Sequence, residues 1–148
     1  MLAEIDLINY SKSLLAYCLE IQPGSKLFIQ STTLAEPLIT QLYKGALERQ
    51  AICEVSFSLE GQENIFNNYA HIDALNWVNP TYIKAVNEFD AYVYIRAPHL
   101  LANFQPMSAE KAEIRRQALF PYQRIYNQRT GTRSLRRSLC QYPTPASA

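Results

Sequence analysis

The chain has 148 residues, is 48% hydrophobic and carries a formal net charge of +1 at pH 7. This length suits one folded domain, and the apolar and aromatic content excludes a disordered chain. No run approaches the roughly 20 apolar residues of a membrane-spanning helix, and the N-terminus lacks the pattern of a secretory signal, so we expect a cytoplasmic protein without a membrane partner.

The first half of the chain predicts helix, strand, helix and strand. A helix over 3–20 is indicated by apolar residues three and four apart, namely Leu7, Tyr10, Leu14, Tyr17, Cys18 and Ile21. A strand over 26–31 precedes a helix that begins between Thr33, which has capping-box spacing to Glu36, and Pro37. That helix ends near residue 49, with its inner face formed by Leu38, Leu42, Ala46 and Leu47. A second strand covers 52–58.

The second half continues the alternation of strands and helices. Helical patterns cover 62–69 and 80–88, a β-rich strand covers 91–95, and the last strand covers 135–141. Between them a long helix covers 108–129, with an inner face formed by Leu119, Tyr122, Ile125 and Tyr126. Pro121 is expected to kink this helix. The order predicts an α/β fold, with a mostly parallel sheet of about four strands and helices on both faces.

The cysteines and the chain end complete this pattern. Cys18, Cys53 and Cys140 are isolated in apolar contexts, which favours three buried, reduced thiols over a disulfide. Residues 143–148 are small or proline-rich and are typical of a strand that leads into a linker. We therefore expect residues 1–148 to form a single domain of a larger enzyme.

The two histidines are the first candidates for chemistry. His71 and Asp73 have a spacing that suits metal ligands, but a catalytic zinc site needs three protein ligands and no third is evident. A histidine at a helix end, followed by Asp73 as an N-cap, is the favoured interpretation. His99 follows a strand end, where open α/β sheets bind ligands, but a surface or hydrogen-bonded loop histidine is favoured.

Anion binding and acid–base chemistry have weaker candidates. Ser31, Thr32 and Thr33 join a strand to a helix, where backbone N–H groups cradle anions, but the glycines and lysine of a phosphate loop are missing. A plain helix cap is favoured. Three carboxylates could serve as general acids or bases, namely Glu36, Glu60 and Glu63. Nothing in the sequence indicates that they lie at one site.

The charge of the chain is uneven, and this raises the question of nucleic acid. Residues 1–109 have six Lys and Arg against eleven Asp and Glu, a net −5, and residues 110–148 have eight against two, a net +6. Basic residues interleave with tyrosines in this last part, namely Arg115, Arg116, Arg124, Arg129, Arg133, Arg136 and Arg137 with Tyr122, Tyr126 and Tyr142. Because Tyr122 and Tyr126 belong to the apolar stripe and no nucleic-acid motif is present, this function is not favoured.

Five segments, in this order and spacing, resemble a known family. They are 22–29, 33–38, 58–62, 95–99 and 142–146, with the sequences QPGSKLFI, TLAEPL, SLEGQ, IRAPH and YPTPA. Together they resemble the thermophilic-type metalloaminopeptidases of peptidase family M29. The chain departs from the family pattern at Arg137 and Gln141, where an aromatic and an apolar residue are typical, and these changes make the last strand more polar.

The resemblance implies the N-terminal α/β domain of a two-domain metalloaminopeptidase, a hydrolase, either as a fragment or as a stand-alone homologue. In such enzymes a C-terminal domain, absent from residues 1–148, holds two divalent metals of the zinc or cobalt type and removes N-terminal amino acids from peptides with metal-activated water. No metal ligand of the family maps onto this chain, and His71 and Asp73 do not correspond to the family's ligands. We therefore expect no catalytic, cofactor-binding or metal-binding residue in residues 1–148, and we expect the chain alone to be inactive. The domain is expected to shape access to the site and to help assembly, with homo-oligomers left open.

Two other functions stay open. One is a stand-alone interaction module whose basic C-terminal helix binds an acidic partner or RNA, as the charge asymmetry suggests. The other is a small-molecule binder at the strand end formed by Ser31, Thr32 and Thr33.

Overall fold

The sheet and its helices follow the predicted order. A computed structural model describes residues 2–100 and 104–147. The strands are β1 (Lys26–Thr32), β2 (Ile52–Ser58), β3 (Ala91–Arg96) and β4 (Arg136–Gln141). The helices described are α1 (Glu4–Ser13), α2 (Glu36–Glu48), α3 (Gln62–Tyr69), α4 (Ile72–Asn76), α5 (Pro80–Glu88) and α6 (Ala109–Gly131).

The four strands form one parallel sheet in the order β2-β1-β3-β4. The chain moves outward from β1 to β2 and then returns to place β3 on the other side of β1. The predicted α/β fold with about four mostly parallel strands is confirmed, and within the described residues every strand pair is parallel. All carboxyl ends therefore meet at one edge of the sheet.

The two faces of the sheet pack against different helices because side chains alternate along each strand. Leu27 and Ile29 of β1 and Val93 of β3 lie in a core with residues of α1 and α2. Phe28 and Tyr92 point the other way and pack against α5 and Tyr126 of α6. Helices therefore cover both faces, as the sequence predicts.

A π-helical turn at the end of the first helix makes the predicted set of inward-facing residues partly wrong. After α1 the backbone forms a π-helix at Leu14–Cys18, in which the amide of Leu19 donates to the carbonyl of Leu14 at 2.9 Å. The additional residue in this turn rotates the residues that follow it. Leu15 and Leu19 are consequently buried, whereas Tyr17, predicted to face inward, is 80% exposed.

The cysteines are free but not uniformly buried, so the prediction of three buried thiols is wrong. Cys140 is buried and Cys53 half-buried, while the π-helical turn leaves Cys18 exposed. Burial, with a smaller contribution from the Glu54 carboxylate, raises the pKa of Cys53 to about 12, and burial also raises the pKa of Cys140.

Thiol labelling is expected to separate these three cysteines. Because the thiolate is the reactive form, Cys53 and Cys140 should react with iodoacetamide at pH 8 roughly tenfold or more slowly than Cys18. Peptide mass spectrometry of the native protein measures the three rates, and labelling in urea supplies the control in which they converge. Equal native rates would contradict the described burial.

Helix α2 begins inside its predicted interval and packs closely on the first helix. Thr32 rather than Thr33 caps the preceding 3₁₀ turn, with its hydroxyl accepting from the amide of Leu34 at 3.4 Å. Leu47, predicted to face inward, is exposed, whereas Gly45 lies against Leu15 of the π-helical turn. A Cβ built on Gly45 lies only 2.6 Å from Cδ1 of the buried Leu15.

Replacement of Gly45 by alanine is expected to destabilise the domain. Overpacking costs about 1–3 kcal/mol, and the higher helix propensity of alanine offsets up to about 1 kcal/mol of that. The net loss should therefore be about 1 kcal/mol in the free energy of unfolding, measured with urea. The matched control is Gly131→Ala, where nothing lies within 4 Å of the added Cβ. If Gly45→Ala stabilised the protein as much as Gly131→Ala, the close approach would be refuted.

The helices after β2 contain one element that the sequence pattern does not reveal. Helix α4 begins at Ile72, so Asp73 lies in its first turn and His71 occupies the N-cap position. The predicted role of Asp73 as an N-cap is therefore wrong.

Helix α6 runs unbroken through Pro121, and the predicted kink there stays a prediction.

The inner face of α6 is only half-buried. Its four predicted inward residues lie partly exposed, these being Leu119, Tyr122, Ile125 and Tyr126. The described part of α6 has no buried residue, because the helix packs on α4 and α5 at the outside of the layer.

Among the described residues, no helix combines the length and the apolarity needed to cross a bilayer.

The last strand forms despite its polar residues. β4 pairs only with β3 among the described strands, so it is an edge strand. The side chains of Arg137 and Gln141 are both exposed, which an edge strand tolerates. Asp90 fastens the amino ends of the sheet, since its carboxylate accepts from the amide of Lys26 at 2.8 Å and its carbonyl accepts from the amide of Arg136 at 2.9 Å.

Candidate functional site

A cavity lies at the edge of the sheet where β1, β2 and β3 end. It has a volume of about 240 Å³, and we call it the carboxyl-edge cavity. Its polar lining includes Thr32, Glu63, Tyr94, Arg96 and His99. In open parallel sheets, ligands bind outside the carboxyl ends of the strands, at the point where the strand order reverses. The neighbouring strands β1 and β3 form that point here.

Hydroxyl groups fix the backbone on one side of this cavity. Ser31 Oγ donates to the carbonyl of Ile95 at 2.8 Å, and Thr32 Oγ1 donates to the carbonyl of Ala97. Thr144 Oγ1 donates to the carbonyl of Pro98 at 2.9 Å, from the segment after β4. Ser31 and Thr32 thus use their hydroxyls to position the loop after β3, and this use favours a structural role over an anion cradle.

His99 lies in this positioned loop. Its side chain is half-buried, and its Nε2 atom is buried without a hydrogen-bond partner among the described residues. The sequence could not place His99 beside Thr32, because their proximity depends on the pairing of β1 with β3. The cavity thus combines a guanidinium, a carboxylate and an imidazole from Arg96, Glu63 and His99, which suits a polar ligand.

The three candidate carboxylates do not share one cavity. Glu63 lines the carboxyl-edge cavity, whereas Glu36 lines a separate cavity of about 200 Å³ with Thr33, Ile39 and Phe57. Glu60 is exposed in the turn before α3. The described residues therefore offer no pair of these carboxylates arranged for joint acid–base work.

A second cavity is lined by side chains that the sequence analysis did not single out as a site. We call it the tyrosine pocket; it has a volume of about 360 Å³ and lies between the sheet and the helices α5 and α6. It is lined by Gln30, Tyr82, Tyr92, Tyr94, Gln123, Tyr126 and Asn127. The signal for it is the alternation of β1 and β3, which places Gln30 and its register partner Tyr94 on the face of α5 and α6.

Comparison with known proteins identifies the family. A family model described as Thermophilic metalloprotease (M29) matches residues 3–148. The chain belongs to the M29 family. A solved structure, wild-type AmpT from Thermus thermophilus, matches this chain with a TM-score of 0.73 at 11% sequence identity, which shows a shared fold. The match covers 97% of this chain and 37% of that one, so this chain spans just over a third of the AmpT chain. No curated protein matches it.

M29 proteins are described as metalloproteases, and a metal centre needs several His, Cys, Asp or Glu ligands grouped around one point. His71 and Asp73 are both exposed around the start of α4. Within 2–100 and 104–147, no three His, Cys, Asp or Glu side chains are grouped so that they could hold a metal ion. The part of this M29 chain that the structure describes therefore does not fit a metal centre.

The basic residues of this M29 chain are largely engaged in contacts within the domain. Arg115 donates to the carbonyl of Leu75 at 3.1 Å and lies 5.2 Å from the ring centroid of Phe66. Arg136 Nε donates to the carbonyl of Leu19 at 2.6 Å. Three further guanidiniums have partners within the chain, those of Arg116, Arg129 and Arg133. These contacts give the basic C-terminal part a structural use.

Proposed function

We propose that residues 1–148 form the N-terminal domain of a metal-dependent aminopeptidase that removes N-terminal amino acids from peptides in the cytoplasm. The observation that carries this proposal is the metalloprotease family model, which matches almost the whole chain, residues 3–148. The fold shared with AmpT, over 97% of this chain and 37% of that one, supports a domain role.

In this proposal the metal ligands belong to a second domain. That domain holds two divalent metals, zinc or cobalt, and the chain alone is inactive. The N-terminal domain shapes the approach of the peptide and contributes to assembly, including assembly into homo-oligomers. The carboxyl-edge cavity and the tyrosine pocket are the surfaces through which we expect it to act.

The alternative of an interaction module for an acidic partner or RNA has less support. Its motivation was the basic character of residues 110–148. Five of the arginines in that region already bind carbonyl or carboxylate groups of the same domain. A guanidinium that is engaged in this way has fewer N–H groups left to bind a phosphate.

Metal content and turnover test the proposal directly. The purified 148-residue chain is stripped with EDTA, dialysed against zinc or cobalt, and assayed with leucine p-nitroanilide. We expect substoichiometric metal and no release above a protein-free blank. Stoichiometric, tightly held zinc with turnover that is lost in His71→Ala or His99→Ala would refute the proposal.

The native protein provides a positive test. An antibody raised against the 148-residue chain is used to detect the natural product of its gene in cell extract. We expect a product that is larger than this chain and that releases N-terminal amino acids in a metal-dependent way after immunopurification. A native product of only 148 residues would contradict the two-domain assignment.

A further inference from the structure

We propose that the tyrosine pocket binds the aromatic side chain of a peptide. The inference rests on the proposed function in one respect, since that function makes peptides the substrate class.

The rings already adopt the arrangement that an additional ring would join. The centroid of Tyr92 lies 5.5 Å from that of Tyr126 at an interplanar angle of 72°, and 6.4 Å from that of Tyr82 at 87°. Aromatic pairs favour such edge-to-face contacts, at centroid separations of about 4.5–7 Å. A phenyl or phenol ring in the cavity therefore meets ring edges and faces at favourable angles.

The polar groups of the pocket suit a peptide backbone. The hydroxyl of Tyr92 donates to Oε1 of Gln30, which leaves the amide NH₂ of Gln30 as a donor. Gln123 and Asn127 are one turn apart on α6 and so project from the same side of the helix. Their amide groups, without a hydrogen bond to other described residues, supply donors and acceptors that match the N–H and C=O groups of a peptide.

The pocket is uncharged, and this decides between classes of side chain. The described lining residues include no acidic or basic group. Burial raises the pKa of Tyr92, and also that of Tyr82, so both hydroxyls stay protonated at neutral pH. An ionised side chain would lose its hydration without gaining a counter-charge, whereas a neutral ring loses little. Phe and Tyr are therefore favoured over Glu and Lys.

The size and position of the pocket suit one residue of an extended chain. A cavity of about 360 Å³ lies at the lower end of the range of small-ligand sites, roughly 300–1,000 Å³. Tyr94 lines both this pocket and the carboxyl-edge cavity. A peptide with its ring in the tyrosine pocket can thus continue past Tyr94 towards Thr32 and Arg96.

Blocked peptides test the inference without metal or turnover. Acetyl-Gly-Phe-Gly-amide is titrated into the ¹⁵N-labelled 148-residue chain, in parallel with the Gly-Gly-Gly and Gly-Lys-Gly equivalents. We expect saturable shifts for Gln30, Tyr94, Gln123 and Asn127 with the Phe peptide, and at least about fivefold weaker binding of the other two. Absence of saturable binding, or equal or tighter binding of the Gly or Lys peptide, would overturn the inference.

Two variants locate the binding site. Tyr94→Ala should weaken binding of the Phe peptide about fivefold, whereas Tyr43→Ala should leave it unchanged, since Tyr43 has the same 43% exposure but lies on α2. Gln123→Ala, in the lining of the pocket but with an exposed side chain, provides a second variant that keeps the fold and should weaken binding about threefold. Unchanged binding in both pocket variants would refute the assignment.

Failure of this inference and failure of the proposed function are distinguishable. Peptide binding is measured on the chain without metal, and the aminopeptidase assay is measured without reference to the pocket. Saturable binding of the Phe peptide by a chain whose native form lacks aminopeptidase activity would refute only the proposed function. Full activity of the native protein together with no peptide binding would refute only the inference.

Discussion

Replacement of Phe28 by alanine is expected to lower the free energy of unfolding by about 3–5 kcal/mol, the usual cost of removing a buried aromatic ring. Phe28 is fully buried in the strand next to the centre of the sheet. Its ring lies 5.1 Å from the ring of Tyr92 and 6.4 Å from that of Phe89, both in edge-to-face contact. Alanine removes these contacts and leaves a void that β1, held by strands on both sides, cannot close.

Urea denaturation monitored by circular dichroism measures this loss, with an unchanged dependence on urea as the sign that only stability has changed. The matched control is Phe57→Ala on β2, because Phe57 is a strand phenylalanine that is 55% exposed. A change within roughly 1 kcal/mol is expected for the control. Similar losses at the two positions would show that the face of α5 and α6 is not a packed core.

Replacement of Arg129 by methionine should cost about 2–4 kcal/mol, since hydrogen bonds from a charged donor are among the stronger ones and two of its three acceptors are partly buried carbonyls. Its guanidinium donates to the carbonyls of Val86 at 2.9 Å, Phe89 at 2.8 Å and Ser134 at 3.1 Å. One side chain of α6 thus satisfies the end of α5 and the turn before β4. Methionine keeps much of the apolar volume but leaves these carbonyls without their donor.

The control for this change is Arg124→Met, five residues earlier on the same helix. Arg124 is exposed and has no hydrogen bond or ion pair with another described residue. Thermal unfolding should show a clear fall in Tm for Arg129→Met and a small change for Arg124→Met, about 2–4 °C per kcal/mol for a domain of this size. A fall of equal size in both variants would mean that loss of positive charge, not loss of the three bonds, is responsible.

The sequence predicts the strands well because their signal is local. The strand at 52–58 agrees at both ends, and those beginning at residues 26 and 91 differ by one residue at their ends. Alternation and β-branched residues act within each segment, so no knowledge of the partners is required. The π-helical turn at Leu14–Cys18 has no comparable signal, since apolar residues occur on both possible faces.

The candidate site depends on pairings that a single sequence does not display. His99 and Thr32 lie far apart in the sequence, and only the placement of β3 beside β1 brings them to one cavity. The tyrosine pocket was missed for a different reason. The sequence correctly predicts that Tyr126 faces inward. The size of the space between Tyr126, Tyr92 and Gln123 depends on the distance between α6 and the sheet, which a single sequence does not show.

The strand order also has a consequence for synthesis on the ribosome. β1 and β2 can pair as soon as residue 58 has emerged, but the other side of β1 is completed only by β3, which ends at residue 96. At about 5–20 residues per second, the N–H and C=O groups along that edge of the nascent β1 stay unpaired for roughly two to eight seconds. During that interval the unpaired edge is open to pairing with the same edge of a neighbouring nascent chain.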